Sequence, residues 1–453
     1  MFDAVFTTTT EYKKLSHALS GKGACALFGL PASGRAQVYA ALCRQLDKPL
    51  CIVTPGEAEA TRFAADLNTL GIPAAVFPAR DYVLRSIEGT AREYEYRRLA
   101  VLGELVGGRL RAVAVPAEAL TQFTTPKEDF CANTRTLHAG DTLLRDDLLA
   151  ALFGAGYTRR AQVDGPGQFS VRGDIVDIFA PDQKMPVRME FWGDEIDTLH
   201  TFDLTTQRRE DAIDKFYLSP AREVLFGKPA DAAEQLRAFL AKQRGKKKTA
   251  MADCMAADLD LLDGGAVPVN MDKYLAVRYP HPATVLDYFD DPILVAEEPA
   301  SIREADRATA YRRGEELKSL ILDGVLCAGL DNLYADPSYL WSKTGHYRTI
   351  CAENFARSMP DQPLKDIINT PAHTLPAWNG EVAGLLEDLK PLCDAGYTVT
   401  LLAGTDRAAA GLARDLRDKG ILVTTDAAAA PAAGLVQVLA GHLYAGCEFP
   451  FAK

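Results

Sequence analysis

The sequence lacks several patterns that would place it in a specialised class of protein. Its nine cysteines include no CxxC pair, which excludes the usual zinc motifs and predicts reduced thiols in a cytoplasmic protein. No apolar run reaches the ~20 residues that span a bilayer, and no basic start followed by an apolar stretch marks a signal peptide. The net charge of -11 argues against binding of nucleic acid by the whole surface.

Arrangements typical of catalytic and metal sites are also missing. The seven histidines show no metal-ligand spacing, and no Ser/His/Asp or Cys/His arrangement stands out. We therefore predict no metal site and no catalytic residue in this chain.

Instead, the 453 residues have an ordinary globular composition, 48% hydrophobic and 25% charged, and their number predicts about three domains. Apolar runs at 24–28, 50–53, 74–77 and 112–115 alternate with helical segments, which predicts an α/β fold with a parallel sheet. From residue 127, strands punctuated by Gly, Pro and Asp predict a small antiparallel sheet. A lysine run at 244–248 is interpreted as a solvated loop, with a nucleic-acid contact as the alternative.

One glycine-rich segment lies between a predicted strand and a predicted helix. Residues 29–36 read GLPASGRA, the frame of the phosphate-binding P-loop GxxxxGK[ST], whose glycines let backbone N–H groups face the phosphates. Gly29 and Gly34 are kept, but Arg35 replaces the lysine and Ala36 replaces the hydroxyl that binds Mg²⁺. The segment is interpreted as a degenerate nucleotide loop; a glycine turn in any α/β sheet is the alternative.

An ATPase also needs acidic residues at the end of a buried strand. Residues 292–298 (PILVAEE) are the best candidate, with Ala296 where an aspartate would bind Mg²⁺ and Glu297 alone remaining. Because both halves of the site are defective, we predict that this chain does not hydrolyse ATP.

A candidate binding surface follows from strand alternation in residues 187–192 (VRMEFW). One side is apolar, while the other carries Arg188 and Trp192, two residue types that often dominate interfaces. Arg172 precedes Gly173, where the alternation shifts, which predicts a bulge or turn that redirects the arginine. The alternatives are that Trp192 covers a second small core and that Arg172 is an ordinary solvated arginine.

The same central region carries a family resemblance. Residues 168–179 (QFSVRGDIVDIF) and 186–197 (PVRMEFWGDEID) closely resemble the bacterial transcription-repair coupling factors (Mfd), and more loosely the excinuclease subunit UvrB. Residues 218–223, 279–288 and 441–450 add matches. UvrB has a long aromatic hairpin for which residues 82–92 are too short, and this favours the coupling factors.

The resemblance implies a degenerate helicase-like domain formed by residues 1–126 and 216–349. Residues 127–215 would be inserted into it as a domain that binds the damage-recognition protein UvrA, and 350–453 would form a further α/β domain. The family's UvrA contacts fall on Arg172, Arg188 and Trp192.

The function that this resemblance implies is non-catalytic recruitment of UvrA to stalled RNA polymerase in nucleotide excision repair. Binding of ATP, Mg²⁺, RNA polymerase and double-stranded DNA is expected only of further parts that family members have, and no cofactor is expected for this chain. The alternatives are a UvrB-like ATPase that verifies DNA damage and a sensor that binds ATP without cleaving it.

Overall fold

The computed structural model describes residues 7–87, 92–356, 359, 362–375, 378, 382–450 and 452. Its strands in chain order are β1 (Gly23–Phe28), β2 (Leu50–Thr54), β3 (Ala74–Val76), β4 (Ala112–Pro116), β5 (Arg135–His138), β6 (Thr158–Arg159), β7 (Gln168–Arg172), β8 (Ile175–Phe179), β9 (Val187–Trp192), β10 (Glu195–Phe202), β11 (Arg209–Ala212), β12 (Lys215–Leu218), β13 (Ile293–Glu297), β14 (Arg348–Glu353), β15 (Leu364–Asn369), β16 (His373–Leu375), β17 (Val399–Ala403), β18 (Val423–Thr424), β19 (Val436–Ala440) and β20 (Gly446–Glu448).

The α-helices are α1 (Thr10–Ala18), α2 (Ala32–Leu46), α3 (Glu57–Thr69), α4 (Glu93–Val106), α5 (Ala117–Leu120), α6 (Lys127–Ala132), α7 (Arg145–Gly154), α8 (Pro229–Ala241), α9 (Gly245–Asp263), α10 (Leu275–Arg278), α11 (Pro299–Leu322), α12 (Tyr339–Lys343), α13 (Val382–Asp394) and α14 (Asp406–Asp418). Two short 3-10 turns, Met271–Tyr274 and Val285–Tyr288, complete the helical elements of the described residues.

Seven parallel strands form the largest sheet, in the order β15-β1-β14-β13-β2-β4-β3. Its inner strands are apolar runs such as LCIVT in β2 and AVAVP in β4, and both are buried along their whole length. Side chains of β1 alternate between two cores, with Ala24 and Ala26 in one and Cys25 and Leu27 in the other. The predicted parallel α/β sheet, covered on both faces, is confirmed.

The chain leaves the large sheet after β4 and returns to it at β13. In between, six strands form a second sheet, ordered β11-β10-β9-β8-β7-β6 and antiparallel except for the pair β6–β7. Phe169, Val176 and Met189 on its inner face share a core with Leu148 and Leu152 of α7. The small, mainly antiparallel sheet predicted after residue 127 is therefore present.

A helical region follows the second sheet, and here one prediction is wrong. The lysine run at 244–248 is not a loop, because α9 begins at Gly245 and the lysines lie exposed in its first turns. Met251, Met255 and Leu262 of α9 recur at helical spacing and are buried. Lysine is itself a good helix former, so the helix extends through the run.

Two predicted domain boundaries fall inside strands. The boundary after residue 215 divides β12, which pairs with β5, and the boundary after residue 349 divides β14, which lies inside the large sheet. Strand β15, which lies within the predicted further domain, also pairs with β1 in the large sheet. Beyond it, β17, β19 and β18 form a separate three-stranded parallel sheet with α13 and α14. The division into four segments itself stays a prediction.

Of the helices in the described part of the chain, none combines the length and apolarity that crossing a bilayer requires.

Candidate functional site

The glycine-rich segment departs from P-loop geometry at its helix. In a P-loop the helix follows the second glycine, whereas here α2 already begins at Ala32, with Pro31 as its N-cap residue. The backbone N–H of Arg35 donates to the Pro31 carbonyl at 2.9 Å. The segment predicted as a loop through Ala36 is therefore a short turn followed by the first turn of a helix.

Other parts of the chain cover this segment closely. A Cβ atom on Gly34 would lie 2.8 Å from Cys447 Sγ and 3.5 Å from the Phe449 ring, so the residues around β20 occupy the space beside the helix N-terminus. Gly29 has φ 84°, and a Cβ there would lie 2.9 Å from Asn369 Oδ1. A side chain at either glycine would therefore not fit without a shift of these neighbouring residues.

The two predicted halves of the degenerate site meet in a buried ion cluster. Arg35 Nε lies 3.1 Å from Glu297 Oε2, and Arg35 Nη1 donates to Glu298 Oε1 at 2.8 Å. The hydroxyl of Tyr39, one turn further along α2, donates to Glu297 Oε1 at 2.5 Å. Ala296 is buried in β13 and offers no polar group. Arg35 therefore contacts the acidic strand directly.

The pKa shifts of this cluster follow from its burial. Burial raises the pKa of the Glu297 carboxyl, although the Arg35 guanidinium opposes this. Burial alone would lower the pKa of Arg35, but Glu297 and its neighbours outweigh burial and raise it. Arg35 thus stays charged and serves as the counter-ion of the buried Glu297 carboxylate.

The predicted binding surface lies on the outer face of the six-stranded sheet, near two tight turns. Arg172 and Ile175 flank a two-residue turn whose first residue, Gly173, has φ 61°, as a type II′ hairpin turn requires. Gly193, between Trp192 and Glu195, has φ 63° in the equivalent turn of the next hairpin. The predicted bulge or turn after Arg172 is a turn, and it lies at the same end of the sheet as Trp192.

A buried carboxylate, Asp177, joins the two predicted arginines. Arg188 Nε and Nη2 donate to its two oxygens at 2.7 and 3.0 Å, and Arg172 Nη2 donates to Asp177 Oδ2 at 2.5 Å. The Asp177 side chain is 0% exposed, that of Arg188 11% and that of Arg172 46%. Arg188 also donates to the Gln207 carbonyl at 3.2 Å, so most of its donors are used within the chain.

Trp192 is 82% exposed and takes no part in a core. A second small core does exist on the outer face, but Val163, Phe179 and Phe202 form it. The Arg188 guanidinium lies over the Phe202 ring, 4.7 Å from its centroid. The alternative interpretation of Trp192 as the cover of a small core is therefore wrong.

A buried ion network outside this surface was not predicted from the sequence. Glu223, which follows the six-stranded sheet, accepts from Arg98 Nε at 2.6 Å and lies 3.1 Å from Arg80 Nε. Arg80 also donates to Asp272 at 2.7 Å, and Glu95 accepts from the Glu223 backbone N–H at 3.0 Å. Only Glu95 and Arg98 share one α-helix, so no local sequence pattern marks the network. The network joins three distant chain segments.

A sizeable cleft of the described structure lies elsewhere. It has a volume of about 830 Å³ between the end of α7 and residues 265–272, and Arg92, Arg159, Arg160 and Arg222 line it. None of the predicted site residues does so, although clefts of this size often bind ligands. The candidate surface at Arg172, Arg188 and Trp192 is therefore identified by its side chains and not by the presence of a cleft. Within the described ranges no three His, Cys, Asp or Glu side chains could hold a metal ion together.

Comparison with known proteins bears on the same region. The UvrB interaction domain family matches residues 136–224, which contain Arg172, Arg188 and Trp192. The chain is 25% identical over 439 residues to the transcription-repair-coupling factor of Bacillus subtilis (strain 168), covering 94% of this chain. The resemblance to the transcription-repair coupling factors is confirmed. The factor of Staphylococcus haemolyticus is 24% identical over 436 residues and that of Staphylococcus aureus (strain MRSA252) 23% over 431, each covering 93% of this chain.

The chain spans 37% of the length of each of these coupling factors. In the segment compared with the UvrB hairpin, residues 88–91 lie outside the described residues, so the argument from hairpin length stays a prediction.

Proposed function

We propose that this chain is a non-catalytic module that recruits UvrA during transcription-coupled nucleotide excision repair. The observation that carries the proposal is the match of the UvrB interaction domain family to residues 136–224, together with an exposed tryptophan and a half-exposed arginine on one face of that region. Arg172, Arg188 and Trp192 are the proposed UvrA-binding residues, and a cytoplasmic location is part of the proposal.

The chemistry of the surface supports a protein partner. Trp192 supplies a large apolar area that is exposed to solvent, and Arg172 keeps donors that no other described residue uses. Arginine and tryptophan are enriched among the residues that dominate protein interfaces. A partner with an acidic group and an apolar hollow would complement this face.

The glycine-rich segment supports a role without hydrolysis. Gly29, Gly34, Arg35 and Ala36 form a degenerate loop in this proposal, and Ala296 and Glu297 a degenerate acidic motif. Arg35 is engaged by two carboxylates, and Ala36 has no oxygen for Mg²⁺. The helicase-like part, residues 1–126 and 216–349, would then serve as a scaffold for the inserted domain.

The parent protein would supply the remaining activities. Because the chain spans 37% of the coupling factors, we propose that ATP-driven translocation on double-stranded DNA and release of RNA polymerase belong to other parts of such a protein. No ATP or Mg²⁺ is proposed for this chain.

The direct test is a pull-down of UvrA by the purified chain. Wild type should retain UvrA, Arg172→Ala and Trp192→Ala should each retain much less, and Arg135→Ala, an exposed arginine of β5, is the matched control. No retention of UvrA by the folded wild type would refute the proposal.

A second assay separates this proposal from a UvrB-like ATPase. The variant Arg35→Lys, Ala36→Thr restores the P-loop residues, but it should release no phosphate from ATP, because the residues around β20 still fill the space beside Gly34. Phosphate release above the buffer blank, by wild type or by this variant, would favour the ATPase.

A further inference from the structure

We infer that Asp177 positions Arg172 for the partner, with Arg188 holding Asp177 from the other side. The inference rests on the proposed function, but it divides the three UvrA-binding residues into two roles. Arg172 and Trp192 would contact the partner, whereas Arg188 would act mainly through Asp177.

Register explains how one carboxylate reaches both arginines. Asp177 of β8 pairs with Arg188 of β9 and with Ser170 of β7, so Asp177 and Arg188 lie side by side on the outer face. Arg172 lies two residues beyond Ser170 on the same face and reaches back to Asp177 Oδ2. Without that contact, a long side chain beside a turn would sample many rotamers.

Hydrogen bonding and exposure indicate that Arg172, rather than Arg188, is available to contact a partner. Arg188 Nε and Nη2 are bonded to Asp177, Nη1 is bonded to a carbonyl, and the side chain is 11% exposed. Arg172 uses one N–H on Asp177 and is 46% exposed, and its other donors have no partner among the described residues. One carboxylate facing two guanidinium groups also leaves one positive charge uncompensated.

Trp192 fixes the second point of contact. On β9 it lies two residues beyond Glu190, on the same face. Glu190 pairs with Ile175 of β8, which in turn pairs with Arg172 of β7. Strand spacings place the Arg172 and Trp192 backbones roughly 12 Å apart. The surface therefore fits a protein partner that offers a carboxylate to Arg172 and an apolar hollow to Trp192.

Holding an arginine in one geometry reduces the rotamer entropy lost on binding. Removing the Asp177 charge should therefore weaken UvrA binding when Arg172 is present, but not when Arg172 has been replaced by alanine. We expect Asp177→Asn to weaken binding roughly tenfold in the wild-type background and less than twofold in an Arg172→Ala background. Binding is measured by titration calorimetry with UvrA. Equal losses in both backgrounds, or no loss in either, would overturn the inference.

A second variant guards against loss of folding. Asp177→Leu with Arg188→Met replaces the buried pair by apolar side chains, a change that proteins often tolerate, and leaves Arg172 and Trp192 in place. This variant should fold, as judged by circular dichroism, and bind UvrA roughly tenfold more weakly than wild type. Wild-type affinity would show that Asp177 has no positioning role.

The free chain provides a readout that does not depend on UvrA. The ¹⁵N relaxation of the arginine Nε–Hε groups should show Arg172 ordered in the wild type and mobile in Asp177→Asn. Equal mobility in both proteins would overturn the inference even if the wild type binds UvrA. A wild type that fails to bind UvrA would refute the proposed function, while the relaxation measurement would still decide the positioning role.

Discussion

Replacing Arg35 by alanine should destabilise the protein rather than weaken nucleotide binding. Arg35 is buried between Glu297 and Glu298, and its removal leaves the buried Glu297 carboxylate with only the Tyr39 hydroxyl as a hydrogen-bond donor among the described residues. Breaking a buried ion pair in this way costs about 3–5 kcal/mol. We therefore expect Arg35→Ala to lower the free energy of unfolding by about that amount at pH 7.

The pH dependence of this loss has a defined sign. Burial raises the pKa of Glu297 above its ordinary value of 4.5, and removal of Arg35 takes away the charge that opposes this. A carboxyl with a raised pKa favours folding at a pH below its unfolded value, and that contribution disappears as the pH rises through the folded value. The loss of unfolding free energy caused by Arg35→Ala should therefore be largest at neutral pH and become smaller towards pH 4.5.

Urea unfolding followed by circular dichroism at pH 7 and pH 4.5 measures both effects. The matched control is Arg85→Ala, because Arg85 pairs with Asp323 and both side chains are about half exposed. Such exposed pairs contribute about 1 kcal/mol or less. Two results would show that Arg35 does not stabilise the fold as the counter-ion of Glu297. One is a loss of unfolding free energy for Arg35→Ala no larger than that of the control, and the other is a loss that grows towards pH 4.5.

Three further outcomes are expected. Arg188→Ala should lower the free energy of unfolding by about 3–5 kcal/mol, because it leaves a buried carboxylate with one partner; a loss below about 1 kcal/mol in urea unfolding contradicts this. Although burial opposes it, Arg80 and its neighbours lower the pKa of Glu95 from 4.5 to about 2. Its contribution to the free energy of unfolding should be present above pH 4.5 and lost as the pH falls towards 2, and an acid titration of Glu95→Gln should lack that step. Trp192→Ala should leave the melting temperature unchanged yet weaken UvrA binding, whereas Tyr311→Ala, an exposed aromatic control, should change neither.

The strands of the large sheet could be predicted because buried strands are short, continuous apolar runs in the sequence. Runs such as LCIVT in β2 and ILVAE in β13 are too apolar for an exposed strand and too short for a helix. The contact between Arg35 and Glu297 follows the same logic, because helix α2 begins at the carboxyl end of β1 and the carboxyl ends of parallel strands meet at one edge of the sheet.

The cover over the glycine-rich segment could not be predicted. Cys447 and Phe449 lie more than 400 residues from Gly34 in the chain, and no local pattern encodes such a contact. The early start of α2 has a local cause in Pro31, whose fixed φ suits a helix start, but the P-loop frame favoured the opposite interpretation.

The partner of the two arginines was also missed. Asp177 faces Arg188 only in the register that β8 and β9 adopt, and the connection between these strands, residues 180–186, is too long for a turn type to fix the register. Side-chain alternation predicts on which face of a strand a residue lies, but it does not predict whether that face is buried. Arg188 was therefore predicted to face a partner.

Titration calorimetry of the chain with UvrA most directly tests the proposed recruitment, when the wild type is compared with a variant that carries both Arg172→Ala and Trp192→Ala. Our prediction is that the wild type binds without ATP and that the folded variant loses at least roughly tenfold in affinity. Equal affinity of the two proteins, or binding by the wild type only in the presence of ATP, would contradict it.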